Sequence, residues 1–154
     1  MPYSLRVFPE YRLAVIRWRG DMTVWAEDEL WPVLKRHPGF TPGFGLLWDL
    51  TDAEPNVTLE DFQTCGVRHE KLEADAAPVW ICYVVSGPVN YGIARQLVGF
   101  HNEVHATRHV ASTVAEGLNW LSQFIGPVEP SALELPDTPE DRAGETPRRF
   151  ARRA

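Results

Sequence analysis

Apolar and polar positions change rhythm along this chain, and the changes predict alternating strands and helices. Tyr3 to Phe8 and Arg12 to Trp18 are rich in β-branched and aromatic residues, and Pro9-Glu10-Tyr11 between them predicts an opening β-hairpin. Three more strands are expected at Gly45 to Leu50, Ala77 to Val85 and Arg108 to Ser112. Within the second of these, Val79 to Val85 is apolar at every position, the pattern of a strand covered on both faces of a largely parallel sheet. It is expected at the centre.

Helical spacing fills the gaps. Thr58-Leu59-Glu60-Asp61 has the form of a capping box, and Leu59, Phe62, Cys65, Gly66, His69 and Leu72 then share one face that should pack on the sheet. Thr113 and Glu116 open a closing helix carrying Val114, Leu118, Leu121, Phe124 and Ile125. A helix from about Asn90 carries Ile93, Leu97, Phe100 and Val104. The first helix, roughly Val24 to His37, contains Pro32, which removes a backbone donor and should kink or divide it. The resulting order, β β α β α β α β α, predicts an α/β domain with a five-stranded mixed sheet and four helices. Periodicity leaves open whether the helices cover one face or both.

With 154 residues, 44% hydrophobic and 23% charged, the chain has the means for one soluble core without a disulfide or metal. A net charge of -6 argues against a general nucleic-acid or anionic-membrane binder for the folded part. Neither a signal-peptide pattern nor an apolar run of membrane-spanning length is seen, so a cytoplasmic location is expected. Cys65 and Cys82 lack CxxC spacing and are expected to be small core residues in a reducing compartment. Residues 1–126 are expected to form the domain, and 127–154, with five prolines and little apolar pattern, a flexible tail beginning at Gly126-Pro127. Four arginines within Arg148 to Arg153 would suit an acidic partner or nucleic acid, against the plainer reading of a solvated end.

Several strings carry a resemblance: Gly20-Asp21-Met22-Thr23, Gly43-Phe44-Gly45-Leu46-Leu47-Trp48-Asp49-Leu50-Thr51, Tyr91-Gly92-Ile93-Ala94-Arg95 and Glu116-Gly117-Leu118-Asn119-Trp120-Leu121. Over about residues 3 to 125 the chain resembles the STAS-like, or SpoIIAA-like, family of small bacterial domains. The resemblance implies a binding or regulatory module without catalysis or cofactor, similar to anti-sigma-factor antagonists, to cytoplasmic domains of anion transporters and, for some members, to lipid-binding modules. It also implies a phosphorylatable serine at the helix after the third strand. Here the chain departs from the pattern, because Asp52-Ala53-Glu54-Pro55-Asn56-Val57-Thr58 holds no serine. Thr58 is then a phosphoacceptor candidate, against its reading as an N-cap completed by Asp61.

Ligands of open parallel sheets bind outside the carboxyl ends of the strands. A cleft of Asp49, Thr51, Tyr91 and Arg95 is therefore a candidate site, with Gly92 allowing close approach; the alternative is that Asp49 and Arg95 merely pair. His101, His105 and His109 are spaced by four, and the first two on one helix would face the same way, as metal ligands sometimes do. With Asp49 they define the competing reading, a small metal-dependent or acid-base enzyme. No HExxH, GxGxxG, Walker or GxSxG pattern accompanies them. Trp25 and Trp31, on the weakly patterned first helix, are candidates for an exposed patch at a homodimer, lipid or partner interface. The favoured reading is a non-enzymatic module for a partner protein or a small apolar or anionic ligand.

Overall fold

A computed structural model describes residues 3–134. Strand β1 (Tyr3–Phe8) turns through a 3-10 turn, Pro9–Tyr11, into β2 (Leu13–Met22). Arg12 closes that turn in the left-handed region at φ 52°, its N–H bonded to the Pro9 carbonyl. Then follow α1 (Ala26–Arg36), β3 (Gly45–Pro55), α2 (Leu59–Glu73), β4 (Val79–Val84), α3 (Pro88–Gly99), β5 (Ala106–Ala111) and α4 (Val114–Ile125). This is the expected α/β order. The strands lie in the sequence β1-β2-β3-β4-β5, antiparallel at the β1–β2 edge and parallel elsewhere. The all-apolar β4 is an interior strand, but β3 occupies the centre.

Strands added one after another with right-handed crossovers must place the crossover helices on one face. Accordingly α1 and α3 bury Leu30, Trp31, Leu34 and Ala94 in one core with Ile16, Trp18, Trp48 and Tyr83. Helix α2 closes the same side through Phe62 and Cys65. Helix α4 covers the opposite face alone, with Leu118, Leu121 and Ile125 against Leu13, Leu47, Cys82 and Val84. Alternation along each strand divides these two cores.

Four expectations need correction. Helix α1 is not divided at Pro32 but runs through it from Ala26 to Arg36. Pro32 is exposed, so the missing backbone bond lies where water can take its place, while Leu30, Trp31 and Leu34 hold the other side on the sheet. Acids in its first turn and Lys35 and Arg36 in its last suit the helix dipole. Trp31 is fully buried and does not form a surface patch. Trp25 is half-buried, with the Arg68 guanidinium 5.0 Å over its ring. Helix α3 ends at Gly99, so Val104 is an exposed loop residue and not part of a helical face. Finally, the chain does not leave the domain at Gly126. Pro130–Glu134 forms a 3-10 turn whose Leu133 is buried in the α4 core, and Arg6 Nη1 donates to the Leu133 carbonyl at 2.9 Å. The arginine-rich segment 148–153 lies outside the described residues.

Candidate functional site

A β-bulge shifts the pairing of β2 with β3 between Arg17 and Arg19. Beyond it the inward phase of β3 passes from Leu50 to Ala53, and both face the α1–α3 side. There, at the carboxyl ends of β2, β3 and β4, a cavity of about 70 Å³ opens. Its walls are mostly apolar: Met22, Val24, Leu50, Ala53, Phe62, Val85, Ile93, Ala94 and Leu97. Glu27, His69 and Tyr83 also line it.

These three belong to a buried polar network. Helix α1 turns Glu27 inward with Leu30, Trp31 and Leu34, at the spacing of one helical face. Tyr83 Oη donates to Glu27 Oε2 at 2.7 Å, and Trp31 Nε1 donates to Oε1 at 3.3 Å. Arg108, on β5, donates from Nε to Tyr83 Oη at 3.1 Å and from Nη2 to Glu27 Oε1 at 3.4 Å and to Glu73. Burial opposes the charge on Glu27, but His69, Arg108 and the Tyr83 hydroxyl outweigh it and hold the carboxyl at about 2. Glu73 is the second carboxylate on one guanidinium; burial carries it up to about 7 against the pull of Arg108. Arg108 itself is raised, because Tyr83 and the two carboxylates overcome its burial.

The second half of the network is a histidine pair. Helix α2 carries Cys65 and His69 one turn apart, and the loop after α3 brings His101 against them. That approach depends on Gly66, since a Cβ there would stand 2.3 Å from the Phe100 carbonyl oxygen. His69 Nδ1 and His101 Nε2 are 2.7 Å apart. The ring centres are 5.0 Å apart and the planes 20° apart. Such spacing leaves room only for the two centre-to-nitrogen distances, so the rings meet edge to edge. The outer nitrogens face backbone carbonyls, His69 Nε2 to Val24 at 3.1 Å and His101 Nδ1 to Leu97 at 2.8 Å. Burial and the nearby Arg108 push His101 down to about 4. Burial and the Glu27 charge push the Cys65 thiol up to about 11, so it is no nucleophile as it stands.

The chain is not matched by any protein-family profile or by a curated protein. Among solved structures it is similar to the following one, at low identity. That structure is an uncharacterised protein of the DUF3478 family, with a SpoIIAA-like fold, from Shewanella loihica PV-4. Identity is 15%, the TM-score is 0.47, and the match covers 71% of this chain and 83% of that one.

The structure does not bring the four cleft candidates into one concavity. Asp49 alternates with Trp48 and Leu50 and so points to the α4 face, where Arg17 Nε meets its Oδ2 at 3.4 Å. Its other oxygen accepts from the Thr51 hydroxyl at 2.7 Å and the Thr51 N–H at 3.2 Å. Arg17, not Arg95, is its ion partner. Tyr91 packs on the opposite core, Arg95 is exposed, and neither they nor Gly92 line the cavity. At Gly92 no described residue stands within 4 Å of a Cβ. Thr58 serves as N-cap: its hydroxyl accepts from Asp61 N–H at 3.2 Å, and its own N–H donates to Asp61 Oδ2 at 2.9 Å.

The histidine row is broken as well. His105 precedes β5 and His109 lies on it, stacked on Trp120 at 4.9 Å. The constellation His101, His105 and Asp49 is not assembled, since His101 turns to His69 and Asp49 to Arg17 and Thr51. Glu27, Glu73 and Arg108 escaped the sequence reading. The signal for Arg108 was present, because Ala106, Arg108 and Val110 share one face of their strand.

Proposed function

We propose that this domain is a non-enzymatic binding module for a small, mainly apolar and uncharged molecule. The observation that carries the reading is the cavity beyond the strand ends: mostly apolar walls with a few polar groups among them, which is the usual form of a ligand site. Several times the space of one water is present, and few polar groups line it to hold water in place. The occupant's polar group would meet Tyr83 and Glu27. An anionic group is disfavoured, because the Glu27 carboxylate stays ionised and Arg108 is not among the lining residues.

Ligand-observed NMR with straight-chain alcohols from butanol to octanol tests this directly. Binding should strengthen with chain length until the cavity is full, and Ala94→Leu, which fills it from α3, should abolish binding while leaving the fold intact. Absence of binding across the series, or equal binding by the filled variant, would count against the reading. A partner-protein role would then be the better account.

A further inference from the structure

We propose that Cys65, His69 and His101 form a binding site for a zinc-class divalent cation. The proposal stands independently of what fills the cavity. Each of the three offers one ligand atom, and these atoms all lie within 4.8 Å of one another. Thiolate and imidazole are the donors such a cation prefers.

The hydrogen bonds around the two rings carry the argument further. Each histidine faces a backbone carbonyl with its outer nitrogen, and a carbonyl only accepts, so each outer nitrogen bears a proton. In neutral rings both inner nitrogens then present lone pairs, and these face one another at 2.7 Å. Two lone pairs at that distance repel unless a cation lies between them. A proton fits that gap as it stands; a metal ion with nitrogen bonds of about 2.0–2.1 Å at a tetrahedral angle needs the nitrogens about 3.3 Å apart, so the two rings part by about 0.6 Å to admit it. An outer N–H fixed on a carbonyl is also the arrangement that orients metal-ligating histidines.

A divalent cation held by two neutral imidazoles and the Cys65 thiolate leaves the group at +1, and its binding releases the sulfur's proton to solvent. Glu27 Oε2, 3.4 Å from His69 Nδ1, places a negative charge beside that site. Its other partners, Tyr83, Trp31 and Arg108, already hold it, so it serves as counter-charge and leaves a fourth position for water.

The test uses the full chain, made without a histidine tag and stripped with a chelator, then titrated with cobalt(II) alone and with zinc(II) against a chromophoric competitor. One ion per chain is expected, with a thiolate-to-cobalt charge-transfer band in the near ultraviolet. Cys65→Ser should remove that band. His101→Ala, in a partly exposed loop, should weaken binding about 100-fold or more, and His105→Ala should leave it unchanged. Sub-stoichiometric uptake, absence of the thiolate band in wild type, or undiminished affinity in His101→Ala would overturn the proposal.

Discussion

Gly66 and Gly92 sit inside helices of the same domain, and replacing each by alanine should move stability in opposite directions. Intrinsic preference favours both changes, by about 1 kcal/mol per site, because alanine is the better helix former and restricts the unfolded chain. At Gly92 nothing opposes this, since a Cβ meets no described residue within 4 Å. At Gly66 the Cβ would lie 2.3 Å from the Phe100 carbonyl oxygen and 3.3 Å from its carbon. The obstacle is backbone and cannot rotate away, so α2 and the end of α3 must separate by about an ångström to reach ordinary contact. Overpacking of this kind costs typically 1–3 kcal/mol, which offsets or exceeds the helical gain. The expected results are about 1 kcal/mol of stabilisation for Gly92→Ala and a net loss on the order of 1 kcal/mol for Gly66→Ala. Urea unfolding followed by tryptophan fluorescence reads both as shifts of midpoint at constant slope. The same separation should part His69 from His101, which nitrogen chemical shifts of the two rings would report. Stabilisation of Gly66→Ala to the level of Gly92→Ala, with unchanged ring shifts, would refute the packing that forms the site.

Trp31→Ala separates a core residue from a surface one. Full burial and the bond to Glu27 predict a loss of about 3–5 kcal/mol, where an exposed patch would give a change within about 0.5 kcal/mol. Glu73 supplies a pH dependence. Its folded value, about 7, lies above its ordinary 4.5, so the stability it contributes is whole below 4.5 and is lost as pH rises through 7, a swing on the order of 3 kcal/mol. His101, held down at about 4, works in the opposite sense below 6.5, so the measurement is the difference between wild type and Glu73→Gln. That difference should shift in favour of the glutamine variant from pH 5 to pH 8; parallel curves would exclude the assignment.

What the sequence made legible was local. Hydrophobic alternation placed the strands, and Thr58 with Asp61 marked a helix start that the structure completes as a reciprocal cap. The strand ends went further than expected, as in Leu13–Met22 and Gly45–Pro55, because beyond Trp18 and Leu50 the pairing runs on through polar residues on either side of a bulge. The site was less legible because its charged members look like surface residues until their partners are known. Glu27 meets Arg108 from 81 positions away, and Glu73 meets it from 35. No local period reports such pairings. His101 and His105 share a helical face only if the spacing of Ile93, Leu97, Phe100 and Val104 continues as helix past Gly99, where the helix stops. Once the chain leaves the helix, separation by four carries no shared direction.

Of the charged residues that break the core pattern, Glu27 lines the cavity, and Glu73 and Arg108 are tied to it through one network. Burying carboxylates with a guanidinium rarely gains stability over apolar residues of equal volume, so stability alone is a poor account of Glu27, Glu73 and Arg108. What the network adds is direction. Tyr83, Trp31, Arg108 and His69 surround the Glu27 carboxylate, which sets a fixed negative charge beside the His69–His101 pair and the mostly apolar cavity. Consistency of pattern fails along this chain where its chemistry is concentrated, as expected when a fold gives up local agreement to hold a site.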